Sequence, residues 1–283
     1  MGDNTPIFGN PPKVTFRQLV TAEEYLECAE IQRETWGSGF GDIVPPSVLK
    51  ITQKVGGVTA GAFDSVDKML GFVYGITGIK DGKPVHWSHM LAVRKVARKL
   101  GLGKQLKFYQ RELLLKMNVK VVLWTFDPLV ARNAHLNLNA LGAVITEYVE
   151  NMYIDSSSDL HRGLGMDRFI AAWHLDDTRV QQAEKAEAYV DHSRFTASPV
   201  VNTKRLQGGD SIPVDLDFSS ANTLRVQVPS DIETIQVKNL DHASQWRGNT
   251  RRVFQHYLSS GYTIAGFYFD QVTTEAFYCL ERK

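Results

Sequence analysis

The chain has 283 residues and only two cysteines, Cys28 and Cys279. They stand far apart and in no metal-like spacing, which argues against a disulfide framework and fits a reducing compartment. Charge of one sign is also missing: 32 Lys and Arg oppose 31 Asp and Glu, for a net charge of +1. That balance gives no global pull toward nucleic acid or acidic membranes. No apolar run reaches the length that spans a bilayer. Met1 to Lys13 is polar and rich in Pro and Gly, without the apolar centre of a signal peptide. His161, His174, His192 and His242 are scattered with no pair at ligand spacing, so no metal is expected. Aromatic residues interleave with little basic charge, so no nucleic-acid partner is expected either. What remains is an ordinary globular composition, 43% hydrophobic and 22% charged, long enough for one large domain or two modest ones. The expected compartment is the cytoplasm, with no membrane contact.

Periodicity supplies the elements. Val14 to Val20 alternates as a strand, and Thr21 caps a helix with Glu23 and Glu24 in its first turn, ending near Trp36-Gly37. Pro45-Pro46 starts a short helix through about Lys54. Val58 to Phe63, Met69 to Thr77 and His86 to Val93 read as strands, and Gly103 to Met117 as an amphipathic helix. Val119 to Phe126 is a buried-looking strand, and Ala131 to Leu141 a helix closed by Gly142. Ala143 to Tyr153 and Arg168 to Leu175 alternate as a last pair of strands. The order is β-α-α-β-β-β-α-β-α-β-β, a mixed layout with two helices crossing between neighbouring strands.

A polar stretch follows, about Asp176 to Ser211, with a helical start over Thr178 to Tyr189. The last piece carries a strand at Leu224 to Val228, a helix at Ala243 to Leu258, and a hairpin of Tyr262 to Phe269 with Glu275 to Leu280. Phe254 to Gly261 and His135 to Gly142 both end a helix in Gly before two strands. Either the C-terminal piece is a degenerate copy of half the first domain, or helix–Gly–strand simply recurs. The expected division is 14–175, a linker or arm at 176–211, and a small α+β piece at 212–283.

The most informative stretch is Arg98-Lys99-Leu100-Gly101-Leu102-Gly103-Lys104, set between a strand and a long helix. That order makes a pocket of backbone N–H groups at a helix start, where a phosphate can sit. One glycine permits a turn closed to residues with a Cβ, and the other lets a bulky anion approach the amides. A nucleotide P-loop is rejected, because position 98 is Arg and position 105 is Gln. A plain strand-to-helix turn is the bland alternative.

Arg98-x-x-Gly101-x-Gly103, together with the element order on both sides, resembles the GNAT superfamily of acyl-CoA-dependent N-acyltransferases. The resemblance covers roughly Val14 to Leu175. Asn133 and the Leu141-Gly142-Ala143 helix end resemble a second signature of that family, and the layout with a C-terminal extension looks like one of its less-studied subgroups. The resemblance implies an α/β fold with a mixed, mostly antiparallel sheet flanked by helices. It implies acetyl-CoA or another short acyl-CoA as co-substrate, with its pyrophosphate on the amides of Arg98, Lys99, Gly101, Leu102, Gly103 and Lys104. It further implies a pantetheine arm along Leu91, Ala92 and Val93, with an oxyanion at an amide of Leu91 or Ala92 and Asn133 close by. The acceptor amine attacks the thioester directly.

For the general base, the strand before the loop offers His86 and His89 and no carboxylate. Alternation puts His89 with Trp87 and Leu91, and His86 with Ser88. His89 is preferred as the base, and a strand histidine bonded to a neighbouring loop is the alternative. The family's thiolate-protonating tyrosine falls on Leu138, which leaves Tyr148, Tyr153 or water for that proton. Arg168 or Arg162 is expected to grip a substrate carboxylate, the alternative being a surface pair of Asp167 with Arg168. Trp246, Arg247, Arg251 and Arg252 form a basic-aromatic cluster, either an anion site or a solvated face over a buried Trp.

The expected function is acyl transfer to a small primary amine, an amino acid being the leading acceptor. The alternatives are a non-catalytic acyl-CoA-binding protein and a protein N-acetyltransferase. A homodimer is one of the alternatives for partners, and the sequence leaves open whether the C-terminal piece covers the acceptor site, makes that dimer or does both.

Overall fold

The structure is a computed structural model that describes residues 13–153, 163–185, 191–208, 211–270 and 272–283. The chain opens with β1 (Thr15–Gln18) and α1 (Ala22–Trp36). Thr21 caps α1 as expected. Its hydroxyl accepts from the Glu24 amide at 3.3 Å, and the Glu24 carboxylate reaches back to the Thr21 amide at 3.4 Å, a reciprocal capping box. There follow α2 (Pro46–Lys54), β2 (Val58–Phe63), β3 (Met69–Lys80), β4 (Lys83–Val93), α3 (Leu102–Lys116) and β5 (Val121–Phe126). Then α4 (Ala131–Ala134) continues as a π-helix over His135–Ala140, and β6 (Val144–Val149) and β7 (Arg168–His174) complete the first sheet.

That sheet has seven strands in the order β1-β2-β3-β4-β5-β7-β6. Every neighbouring pair is antiparallel except β4 with β5. This is the mixed, mostly antiparallel sheet expected. On one face, α1 and α2 lay Tyr25, Cys28, Ile31 and Leu49 against Phe63, Phe72 and Tyr74. On the other, α3 buries Leu102, Leu106 and Leu114 against Val58, Ala60 and Val73. Removing a side chain of that size from water is worth about 1.5–3 kcal/mol, so the two faces hold the sheet between them.

The remainder comprises α5 (Thr178–Glu184), β8 (Thr203–Arg205), β9 (Ser211–Pro213), β10 (Thr223–Val228), α6 (Ile232–Lys238), α7 (Leu240–Ser259), β11 (Tyr262–Phe269) and β12 (Ala276–Arg282). The helix expected over 178–189 stops at Glu184, and 186–190 lie outside the described residues. Strands β8 and β9 pair with each other inside the stretch read as a linker or at its edge. The strand expected over 143–153 ends at Val149, where a turn at Glu150 and Asn151 breaks it; Asn151 has φ +46°.

The C-terminal sheet runs β10-β12-β11, antiparallel throughout. That is the path of β5, α4, β6 and β7, whose order is β5-β7-β6: strand, helix, strand, and a last strand inserted between the first two. One apolar cluster extends from Trp124, Phe169 and Trp173 of the first sheet to Trp246, Phe254 and Tyr278 of the C-terminal part.

Candidate active site

Strands β4 and β5 are in register at only two pairs, His86 with Val122 and Trp87 with Leu123. Beyond them β4 stays with β3 and β5 stays with β7. A register shift against β3 between Tyr74 and Gly75 places His89 as the extra residue of a bulge, which bends β4 at the point where the strands part. The split opens a cavity of about 1120 Å³. It passes through the sheet, from Lys107 and the start of α3 on one face to Trp36, Phe40, Tyr74 and His89 on the other.

The outer mouth is the glycine loop. Lys99 (φ +82°) and Gly101 (φ +71°) both take left-handed backbone, a curl that turns successive amides inward. The first intrahelical amide of α3 is Gln105, to the Gly101 carbonyl at 3.3 Å. The amides of Leu102, Gly103 and Lys104 precede it, and all three residues line the cavity. Outside its chain neighbours and the backbone of its own helix, a Cβ on Gly103 would meet nothing closer than Leu91 Cδ2 at 3.9 Å, so nothing crowds that position on the cavity side. Arg98 and Lys99 line the same mouth, whereas the Lys104 ammonium is held by the Ala183 carbonyl of α5 at 2.7 Å. Asn133 also faces the cavity. The Arg94 amide donates to Leu70 of β3 at 2.8 Å, so alternation turns the amides of Leu91 and Val93 to the open edge of β4 and that of Ala92 away.

The two strand histidines part company. His89 lines the cavity, edge-on to Tyr74 with ring centroids 6.0 Å apart. Burial lowers its pKa, with Asp42 opposing. His86 is fully buried on the α3 side, between Thr77 Oγ1 at 2.9 Å and Gln110 Nε2 at 3.0 Å, and burial and the nearby Lys107 push it down to about 3. It has no route to the cavity, so it does not join His89.

The inner end of the cavity holds Thr125, Asp127, Tyr153 and Arg168. Arg168 is buried, its Nη1 lying 3.6 Å from Asp127 and donating to the Asp167 carbonyl at 2.9 Å. Asp127 also takes Arg247 Nη2 of α7 at 2.5 Å, and Arg247 donates to the Leu164 carbonyl at 3.0 Å. Burial alone would raise the Asp127 carboxyl, and Arg247 and Arg168 outweigh it and hold the group below its usual range. Arg247 Nη1 is buried without a hydrogen-bond partner among the described residues. Two guanidinium groups therefore share one buried carboxylate.

The surface pair of Asp167 with Arg168 is not formed. Asp167 is fully buried and takes Arg251 at two 2.8 Å contacts, together with the Tyr148 hydroxyl. Trp246 is buried, as the second reading of the basic-aromatic cluster has it, but the arginines are paired: Arg247 and Arg251 are intramolecular partners of Asp127 and Asp167, and Arg252 pairs with Asp215 at 3.0 Å. Tyr148, committed to Asp167, has its hydroxyl pKa raised by burial and by that carboxylate. Tyr153 bonds Thr125 at 3.1 Å at the cavity, and Leu138 is core. Arg162 lies outside the described residues.

Sequence reasoning missed Ser88, Lys107 and Gln110, which meet where β4 and β5 separate. The Lys107 ammonium position is 2.9 Å from Ser88 Oγ and 3.1 Å from Gln110 Oε1, over the face of Trp124 at 3.8 Å. The signal was present: Gly103, Lys107, Gln110 and Leu114 form one stripe of α3 at i, i+4, i+7 and i+11, which puts Lys107 on the buried face. Among the described residues no group of His, Cys, Asp or Glu is arranged to hold a metal, and no helix is long and apolar enough to cross a membrane.

No protein-family profile and no curated protein matches the chain. Among solved structures, it is similar to a proposed acetyltransferase of Acinetobacter baylyi, 17% identical over 60% of this chain and 97% of that one, TM-score 0.49. A proposed acetyltransferase of Salmonella typhimurium, solved with its cofactor acetyl-CoA, is 15% identical over 58% and 95%, TM-score 0.47. A proposed GNAT-family acetyltransferase of Desulfovibrio desulfuricans is 16% identical over 58% and 99%, TM-score 0.44.

Proposed function

We propose that this protein is an acyl-CoA-dependent N-acyltransferase whose acceptor is a small primary amine bearing a carboxylate, an amino acid being the simplest case. The observation that carries the reading is the cavity through the β4/β5 split, with helix-start amides at one mouth and buried Arg168 at the other end. The uncrowded Gly103 position and the cavity-lining helix start fit a pyrophosphate on the amides of residues 101–104. The outward amides of Leu91 and Val93 fit a pantetheine arm laid along β4 as a strand would lie. The Leu91 amide would then face the oxyanion formed as the amine attacks the thioester.

His89 acts as the base. Its pKa is lowered, so at neutral pH the ring is free to accept the ammonium proton of the acceptor. Arg168 provides the carboxylate contact, supported by its place in the cavity lining beside Thr125 and Tyr153.

The test is acetyl-CoA with a panel of amino acids and simple amines, read as N-acyl product by mass. Product is expected with carboxylate-bearing amines. His89→Ala should lower kcat about a hundredfold with little change in CoA affinity, and should remove the acid limb that appears as pH falls through the histidine's pKa. A wild-type pH profile in that variant would take His89 out of the mechanism. Leu138, in the core where the family's thiolate acid would sit, favours the rival reading, a binding protein without turnover. It predicts CoA affinity and no N-acyl product from any amine.

A further inference from the structure

A hydroxyl, an amine and an amide meet at the apex of the split. Ser88 Oγ is 2.9 Å from Lys107 Nζ, and both lie within 3.1 Å of Gln110 Oε1. The amide is itself held: Gln110 Nε2 donates to His86 Nε2 at 3.0 Å, and the other ring nitrogen meets Thr77 Oγ1 at 2.9 Å. That chain fixes the amide so that its oxygen faces Lys107 and Ser88. Ser88 and Lys107 both line the cavity.

Lys107 is buried, and among the described residues no carboxylate offsets its charge. Burial drives its pKa well below the usual lysine range, the direction that favours the amine over the ammonium. An apolar side chain would fill the same space between Trp124 and Trp173 without the desolvation cost. At rest Ser88 Oγ donates to Gln110 Oε1 and accepts from Lys107 Nζ. Turning the hydroxyl about its C–O bond points the proton at Nζ and gives a nucleophile beside a base that a third group orients, the general arrangement for covalent catalysis.

We propose that Ser88, Lys107 and Gln110 act as nucleophile, base and orienting group, and that through them the protein hydrolyses acyl-CoA thioesters by way of an acyl-Ser88 ester, a second activity beside amine acylation. The inference rests on the acyl-CoA reading of the cavity. In the first step Ser88 Oγ bonds to the thioester carbon and its proton passes to Lys107 Nζ. The ammonium so formed stands beside the oxyanion. The C–S bond breaks, sulfur takes the electron pair and the Lys107 proton, and free CoA thiol leaves. In the second step water attacks the Ser88 ester, Lys107 takes a water proton and returns it to Oγ, and the carboxylic acid is released.

The test uses the full chain with acetyl-CoA and no amine, read as free thiol and as acid-quenched peptide mass, with CoA-dependent thermal stabilisation measured alongside. Wild type should release thiol at least tenfold faster than Ser88→Ala and Lys107→Met, with an acetyl adduct on Ser88. Both variants should unfold cooperatively and keep stabilisation by CoA. Ser88→Cys, a stronger nucleophile, should accumulate the adduct. Equal thiol release in wild type and Ser88→Ala, or an adduct confined to other residues, overturns the proposal while CoA binding persists. Absence of stabilisation by CoA and acetyl-CoA overturns the acyl-CoA reading itself, and the substrate of the Ser88 set with it.

Discussion

Two segments of this chain follow one path and end in different states. In β5–α4–β6–β7 the first strand leaves its outer neighbour β4 after two residue pairs and opens a cavity. In β10–α6–α7–β11–β12 the outer edge of the first strand is taken. The Val201 amide donates to the Arg225 carbonyl at 3.1 Å, and the Arg225 amide to the Pro199 carbonyl at 2.9 Å. An edge closed by its own chain leaves no room for an extended ligand, whereas an edge that parts from its neighbour does. The β-α-β-β unit is thus a scaffold. The site comes from what precedes it: a bulged strand, a left-handed loop and a helix start. The C-terminal segment lends support instead, sending Arg247 to Asp127 and Arg251 to Asp167 across the seam between the two segments.

The largest effect should come from breaking that seam. Asp127→Ala leaves Arg168 and Arg247 buried without their shared carboxylate, and should lower unfolding free energy by about 3–5 kcal/mol. Denaturant unfolding checks it, and a loss under about 1 kcal/mol would mean that the halves do not depend on this contact. In the wild-type protein the Asp127 carboxyl sits below its unfolded value. Its contribution is therefore fully present above about pH 4 and is lost as pH falls toward the lower folded value.

Gly103→Val separates binding from folding. A Cβ there makes only an ordinary contact with Leu91, and the valine methyls would stand in the anion's approach. CoA affinity should drop at least about a hundredfold, near 2.7 kcal/mol, with a thermal midpoint close to wild type. Unchanged CoA affinity in a folded variant would remove the loop from the account. The smallest difference compares the two helix-ending glycines. Gly261 (φ +85°) has open space around its Cβ position, and Gly261→Ala should cost only the left-handed strain, about 1–2 kcal/mol. At Gly142 (φ +72°) a Cβ would stand 2.9 Å from the Arg179 carbonyl, so Gly142→Ala should cost more. Equal losses in chemical denaturation would show that the α5 contact yields freely.

Most of the fold was legible because its signals are local. The Thr21 box, the Arg98–Lys104 loop between strand and helix, and the glycines at 142 and 261 each declare themselves within a few residues. The shared β-α-β-β path was legible as a likeness of two helix ends, and strand order turned it into a topological match. What the sequence concealed depends on contacts distant along the chain. Asp127 and Arg247 are 120 residues apart, and nothing in the Arg247–Arg252 cluster tells a solvated face from a buried ion pair. Alternation already puts His86 and His89 on opposite faces of β4, but which face meets α3 and which meets the split is set by strands and helices distant along the chain. Lys107 falls on the buried stripe of α3, but its meeting with Ser88 shows only once the gap between β4 and β5 is in place.

The central claim is that the split holds an acyl-CoA thioester. The most direct measurement is thermal unfolding of the protein with CoA, acetyl-CoA, succinyl-CoA and ATP in parallel. At a hundred times its dissociation constant a bound ligand adds about 2.7 kcal/mol, so the CoA species should raise the midpoint by several degrees while ATP leaves it in place. No shift with any CoA species, or an equal shift with ATP, would contradict the account.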